Sequence, residues 1–369
     1  MPAIASLIGI AVFFQWQSPH FLSPTNLSNL AVQATLIAVI ALGEVVVLLL
    51  GEIYLSLGSV AGATAAILGV LMTSGDLPWY AAVPLMIASG AVIGAFQGAW
   101  IAKLGIPSFV VTLAGLMAFL GLQLFTLGPQ GTMSVFDPTI AALTGTTVPP
   151  TVGWIGGLVI AVLIIGLAVW RGTPHRLNVR MLVAPVLLSL LVLAAIAVLN
   201  SARGVPTPFV VLLGMLLVGW WITQHTRPGR HLFAVGGNAE AARRAGVSVV
   251  NIRFAAFTVS GAIAAIGGLF AVSYNGSAGT LTGGGTLLLE AIGAAVIGGT
   301  SLFGGRGTVW SALFGALIMG GVSNGLDLTN ADQPVKYMVQ GAIVLLAVSL
   351  DTILRRRQSR GRQLGGIHA

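Results

Sequence analysis

SNLAVQATLIAVIALGEVVVLLL, Ser28 to Leu50, carries one ionisable residue, Glu44, in an otherwise apolar run. A hydrocarbon core about 30 Å thick needs roughly 20 helical residues to cross it. A helix at the surface of a soluble domain would show a polar face at a 3.6-residue period, and this stretch shows none. It reads as a membrane span, and the rest of the chain repeats the pattern. Apolar segments recur near residues 3–15, 28–50, 53–74, 78–102, 106–127, 152–170, 181–199, 207–225, 253–273, 286–300, 308–326 and 335–352. The first and tenth are short, and glycines interrupt the chain around Gly298 to Gly307. Such pieces are expected to be partial or re-entrant, which a bilayer tolerates only where protein buries the backbone. The expectation is an all-α polytopic membrane helix bundle of about 10–12 transmembrane segments.

Composition agrees. Hydrophobic residues make up 56% of the 369, charged residues only 7%, and the mean hydropathy is +0.97. A soluble domain must present far more polar surface than that. Fifty glycines suit helices that pack closely in lipid. With no cysteine, neither a disulfide nor a thiolate metal site is open to the chain.

The net charge of +8 reads as membrane orientation rather than nucleic-acid binding, because it sits between spans and in the tail Arg355, Arg356, Arg357, Arg360 and Arg362. With that tail in the cytoplasm, alternation places Arg306, the 226–253 loop, Arg171, Arg176, Arg180 and Lys103 inside as well. Arg203 and Lys336 are left outside, together with the loops Gly128 to Pro150, Tyr274 to Gly285 and Asp327 to Pro334. Both termini are then cytoplasmic. The division is one permease domain over 1–354 and a basic cytoplasmic tail over 355–369. The opening MPAIASLIGIAVFF has no basic flank and no small-residue cleavage pattern follows it, so a truncated or misassigned start is expected rather than a signal peptide.

Motifs for chemistry are missing. Lys103 follows Ala102 and Lys336 follows Val335, so neither lysine belongs to a Walker A loop. His20, His175, His225, His231 and His368 are scattered, without a metal-binding spacing. Neither a catalytic residue, a metal site nor a bound cofactor is expected. A membrane enzyme has no nominated site, and a secondary carrier would call for inverted repeats that are not evident.

One charged island interrupts the apolar pattern, VGGNAEAARRAG at Val235 to Gly246. Asn238 is suited to N-cap a helix of about two turns, with Glu240 in its first turn, Arg243 and Arg244 near its end and Gly246 at the left-handed C′ position. Ala239, Ala241, Ala242 and Ala245 would keep its surface shallow enough for another protein to approach. The alternatives are a solvated juxtamembrane helix or a phosphate cradle at Gly236 and Gly237, the latter without a G-x-G-x-x-G spacing or a preceding strand.

HLFAVGGNAEAARRAGVSV (His231 to Val249), AIGAAVIGGTSLFGGRGT (Ala291 to Thr308) and NGLDL (Asn324 to Leu328) resemble the carboxy-terminal half of the inner-membrane permeases of bacterial ABC sugar importers of the ribose and xylose type. GEIYLSLGS (Gly51 to Ser59), IPSFVVTLAGLMAFLG (Ile106 to Gly121) and ARGVPTPFVVLL (Ala202 to Leu213) resemble the xylose branch, and the likeness covers nearly the whole chain. It implies a homodimeric permease, a separate ATPase subunit that uses ATP and magnesium, and an external sugar-binding protein. It also implies that Gly237, Asn238, Glu240, Ala241, Ala242, Arg243 and Gly246 form the coupling segment that docks on the ATPase.

In two places the chain departs from the family. Tyr54 stands where Asp is usual, and Leu120 where the xylose branch tends to carry Arg. Joint loss of a buried ion pair would explain both, since losing one partner strands a charge. The ionisable residues within the apolar runs are Glu44, Glu52 and Glu290, functional candidates by default. Each has a plainer role open to it: backbone bonding for Glu44, the cytoplasmic interface for Glu52 and capping of 291–299 for Glu290. Sugars are held by hydroxyl-bonding side chains and aromatic faces, so Gln33, Gln123, Asn324, Trp100 and Phe119 join Glu44 and Glu290 as candidates for the translocation path, with packing as the alternative for each.

Overall fold

A computed structural model describes residues 2–171, 179–284, 287–346 and 348–349. Arg176 and the tail arginines lie outside the described residues. The architecture is helical, as the apolar runs require: in lipid a backbone must satisfy its own polar groups, and a helix does so within one segment.

The chain enters through α1 (Pro2–Gln17) and α2 (Pro24–Leu48). Ser23 starts α2 by accepting the Asn26 backbone N–H, and Pro24 sits in its first turn, where the missing N–H costs nothing. At 25 residues α2 is about 37 Å long, and from Ala38 to Val45 every residue is buried. It is the central post. Around it stand α12 (Val249–Asn275), α13 (Leu287–Ile297) and α14 (Trp310–Leu328). An outer set, α4 (Trp79–Leu104), α5 (Ser108–Leu127), α7 (Pro150–Arg171), α8 (Val179–Ala202) and α9 (Thr207–His225), turns large apolar side chains outward, as lipid-facing or partner-facing helices must.

Among the described residues, seven helices are long and apolar enough to cross a bilayer. The shorter ones are incomplete for a reason. After α2 the chain leaves helical geometry and rises through buried, non-helical residues to α3 (Leu57–Thr73). That stretch is braced from several sides: the Tyr54 N–H donates to Glu44 Oε1 (3.2 Å), the Ser108 and Thr112 hydroxyls bond the Ile53 backbone, and Ser56 bonds Gln97. A second non-helical stretch follows α12 and runs beside α3, so closely that Gly283 meets the backbone of Gly58 and Gly62. A side chain at any of the three would overlap its neighbours. Of the tenth apolar segment, the 11 residues of α13 are helical, too short for a span, in keeping with the expectation of a partial segment.

Small residues set the helix contacts. On α4, Gly90, Gly94 and Gly98 lie against Gly261, Phe257 and Phe254 of α12, the close approach that drives association where lipid removes the hydrophobic incentive. Two short antiparallel ladders qualify the all-helical expectation. Strand β1 (Thr132–Ser134) pairs with β4 (Ser277–Gly279), and β2 (Thr147–Val148) with β3 (Val205–Pro206). With α6 (Pro138–Gly145) they clip together three connections that the charge pattern assigns to the same, outer side. The 226–253 connection, where a short capped helix is expected, holds α10 (Arg227–Gly237), α11 (Ala239–Arg244) and the first residues of α12. A last helix, α15, covers 333–346.

Candidate coupling site and translocation path

Helix α11 has the caps its sequence calls for. Asn238 Oδ1 accepts the Ala241 N–H at 2.9 Å. At the other end, the Gly246 N–H bonds the Arg243 carbonyl and the Val247 N–H bonds the Ala242 carbonyl, with Gly246 at φ +82°. This is the two-bond Schellman closure. Glu240 pairs with both Arg243 (3.3 Å) and Arg244 (3.2 Å) on the exposed face. Such exposed pairs contribute about 0–1 kcal/mol, so they tidy the helix more than they hold it.

The alanine surface is where the sequence reading fails. Ala242 is buried and Ala239 half-buried, so the first is an inward anchor; only Ala241 and Ala245 lie on the open face. A helix of six residues has no stable nucleus of its own, and inward anchoring supplies what caps alone cannot.

The helix just before it is wedged into the end of the bundle that the charge pattern assigns as inner. Gly236 lies against the Leu49 carbonyl at the end of α2, so that an added Cβ would overlap it. Gly304 and Gly305, in the loop after α13, adopt φ +78° and +71° and abut Gly236, Gly237 and Gly51. The Gly305 N–H donates to the Leu49 carbonyl at 2.9 Å. Only glycines allow three backbones to meet this closely while holding left-handed geometry. Nearby, Arg253 at the start of α12 binds Glu52 at 2.9 Å with both side chains largely shielded, which ties α12 to the α2–α3 break. The sequence nominated Gly237 and Asn238 for this segment, offered Gly236 only as part of a phosphate cradle, and did not single out Gly304, Gly305 or Arg253; their importance lies in contacts between segments far apart in the chain.

The seven path candidates do not converge. Gln123 is fully buried on α5, and its Nε2 bonds the carbonyls of Gly279 (2.8 Å) and Thr282 (3.0 Å). It satisfies the non-helical stretch beside α3. Asn324 and Asn26 exchange bonds of 2.7 and 3.1 Å between α14 and α2. Glu290 lies within α13, rather than capping it, and accepts from Gln340 Nε2 at 2.8 Å. Glu44 accepts from Tyr54 N–H through one oxygen, while its Oε2 and the Tyr54 hydroxyl find no partner among the described residues. Tyr54 packs its ring on Phe257 at 5.0 Å, and Leu120 is half-buried on α5. Trp100 faces outward beside Phe96, Phe119 is half-buried, and Gln33 is half-buried on α2.

The model of the branched-chain amino acid transport system / permease component family matches residues 26–348. The chain belongs to this permease family. The permease is 36% identical over 363 residues to the xylose transport system permease protein of Escherichia coli (strain K12), covering 96% of this chain and 92% of the relative. It is 34% identical to the corresponding Haemophilus influenzae protein, covering 95% and 96%, and 30% identical to the ribose import permease protein of Escherichia coli, covering 94% and 92%. No solved structure matches it. Family and spans together make the permease a multi-pass protein of the inner membrane.

Proposed function

We propose that the permease is the transmembrane subunit of an ATP-binding cassette importer for a monosaccharide, with D-xylose or a related pentose or hexose as its cargo. Its relatives over nearly the full length are named for xylose and ribose transport, and that observation carries the sugar. Two copies enclose the path. A separate ATPase, with ATP and magnesium, docks on each copy's cytoplasmic face, and a sugar-binding protein docks outside.

The contact surface for the ATPase is α11 with Gly237 and Gly246. Closure of the ATPase pair pushes on a capped, short helix that has little slack. Gly236, Gly304 and Gly305 pass the displacement to the end of α2 and to the loop below α13, because packed backbones shift as bodies rather than deform. ATP binding then biases the outward-facing state and hydrolysis the inward-facing one, as a population shift.

The test is co-reconstitution in proteoliposomes with a cognate ATPase subunit and a sugar-binding protein. D-xylose or D-ribose should stimulate ATP hydrolysis and accumulate inside. The family description also covers branched-chain amino acids, so leucine is the counter-substrate. Uptake of leucine without uptake of either sugar would overturn the sugar reading.

A further inference from the structure

A cavity of about 190 Å³ opens on the side the charge pattern assigns as outer, where the first turns of α2 meet the ends of α6, α8 and α12. It is smaller than the roughly 300 to 1,000 Å³ of drug-sized sites, on the scale of a single small ring. The threonines of its rim are engaged within the protein. Thr144 bonds Ser273, Thr146 bonds Thr207, and Thr147 donates to the Arg203 carbonyl.

Other lining side chains are not engaged. Thr25, Ser28, Asn29, Arg203 and Tyr274 line the cavity, and among the described residues none of their side chains has a hydrogen-bond or ion-pair partner. Ser28 is the most enclosed of them, at 7% exposed, and its hydroxyl is open to the cavity. No carboxylate lines the cavity, which disfavours a cation. Arg203 is exposed at the rim and solvated, so it does not demand an anion.

We propose that this cavity is an outer receiving site for one neutral sugar, which it holds weakly between the binding protein and the path within. This rests on the sugar-importer reading. Asn29 both donates and accepts, Arg203 offers a planar fork to two neighbouring hydroxyls, Ser28 completes the floor, and the Tyr274 ring offers a face to the sugar's C–H surface. Gln33 stands one turn further along α2 on the face of Asn29, the next group able to bind a hydroxyl on the way in.

The test uses the full permease in nanodiscs, titrated with D-xylose by saturation-transfer NMR, and the reconstituted complex for uptake. Wild type should bind D-xylose saturably in the millimolar range. Asn29→Ala and Ser28→Val should each weaken that binding about tenfold, the loss expected for one net hydrogen bond plus a desolvated partner. Both should raise the half-saturating concentration of sugar-loaded binding protein. Tyr274→Phe should bind better than Tyr274→Ala, because it keeps the ring, and this pair guards against a fold defect. Variants that bind and transport as wild type would overturn the receiving site while the importer reading stands. D-glucuronate binding more tightly than D-xylose would overturn it in favour of an anion site. Leucine uptake without sugar uptake in the wild-type complex is the separate failure of the importer reading.

Discussion

At the scale of single residues, the buried polar groups act as struts for backbone that the helices leave open. Gln123 is the clearest, with one amide nitrogen serving the Gly279 and Thr282 carbonyls of a stretch that has no helical partners. Gln123→Leu should cost about 2–3 kcal/mol, the penalty for buried carbonyls left unpaired, and lower the melting temperature of the detergent-solubilised permease by several degrees. The Asn26 and Asn324 pair makes a different prediction. Each single leucine substitution strands the other amide, so the double variant should be less destabilised than the sum of the singles, by roughly 0.5–2 kcal/mol in a double-mutant cycle. Simple additivity in the melting data would contradict it. That these residues are polar and set in apolar runs was legible in the sequence. Their partners were not, because the bonds join positions 156, 159 and 298 residues apart.

At the scale of elements, the coupling segment contrasts local with non-local information. Its caps follow from spacing alone, since Asn238 and Gly246 act within a few residues of themselves. Asn238→Ala should weaken α11 by about 1 kcal/mol, which in so short a helix is enough to fray it. The ratio of sugar imported to ATP hydrolysed should fall while the melting temperature barely moves. The neighbouring glycines divide by packing. Gly236→Ala would drive a Cβ into the Leu49 carbonyl, whereas a Cβ at Gly237 meets nothing within 4 Å. Gly236→Ala should therefore abolish coupled uptake, and Gly237→Ala should leave most of it, as measured in the same liposome assay. Equal effects would show that the junction does not transmit the motion. Two adjacent glycines look alike in the sequence; only the approach of α2 and the 301–307 loop tells them apart.

At the scale of the whole molecule, a central α2 is surrounded by α12, α13 and α14, and an outer set of helices exposes apolar faces. The fold depends on one close seam in particular, between α4 and α12. Gly94→Leu would force the Phe257 backbone away and should leave little monodisperse protein by fluorescence-detected size exclusion, while Leu85→Ala on the exposed face should be tolerated. By itself the sequence determined the membrane class, the apolar segments that form the long helices and the caps of α11. Each of these rests on composition or on residues within a turn or two of one another. The tertiary structure alone decided that Ala242 is an anchor, that Gln123 braces the 279–282 backbone while Asn324 ties α14 to α2, and that three glycine segments meet beside α11. It also brought Ser28, Asn29, Arg203 and Tyr274 to one cavity. In lipid, helices associate through close packing and a few polar bonds rather than through a patterned apolar face, and so the sequence shows which segments cross but not which of their sides meet.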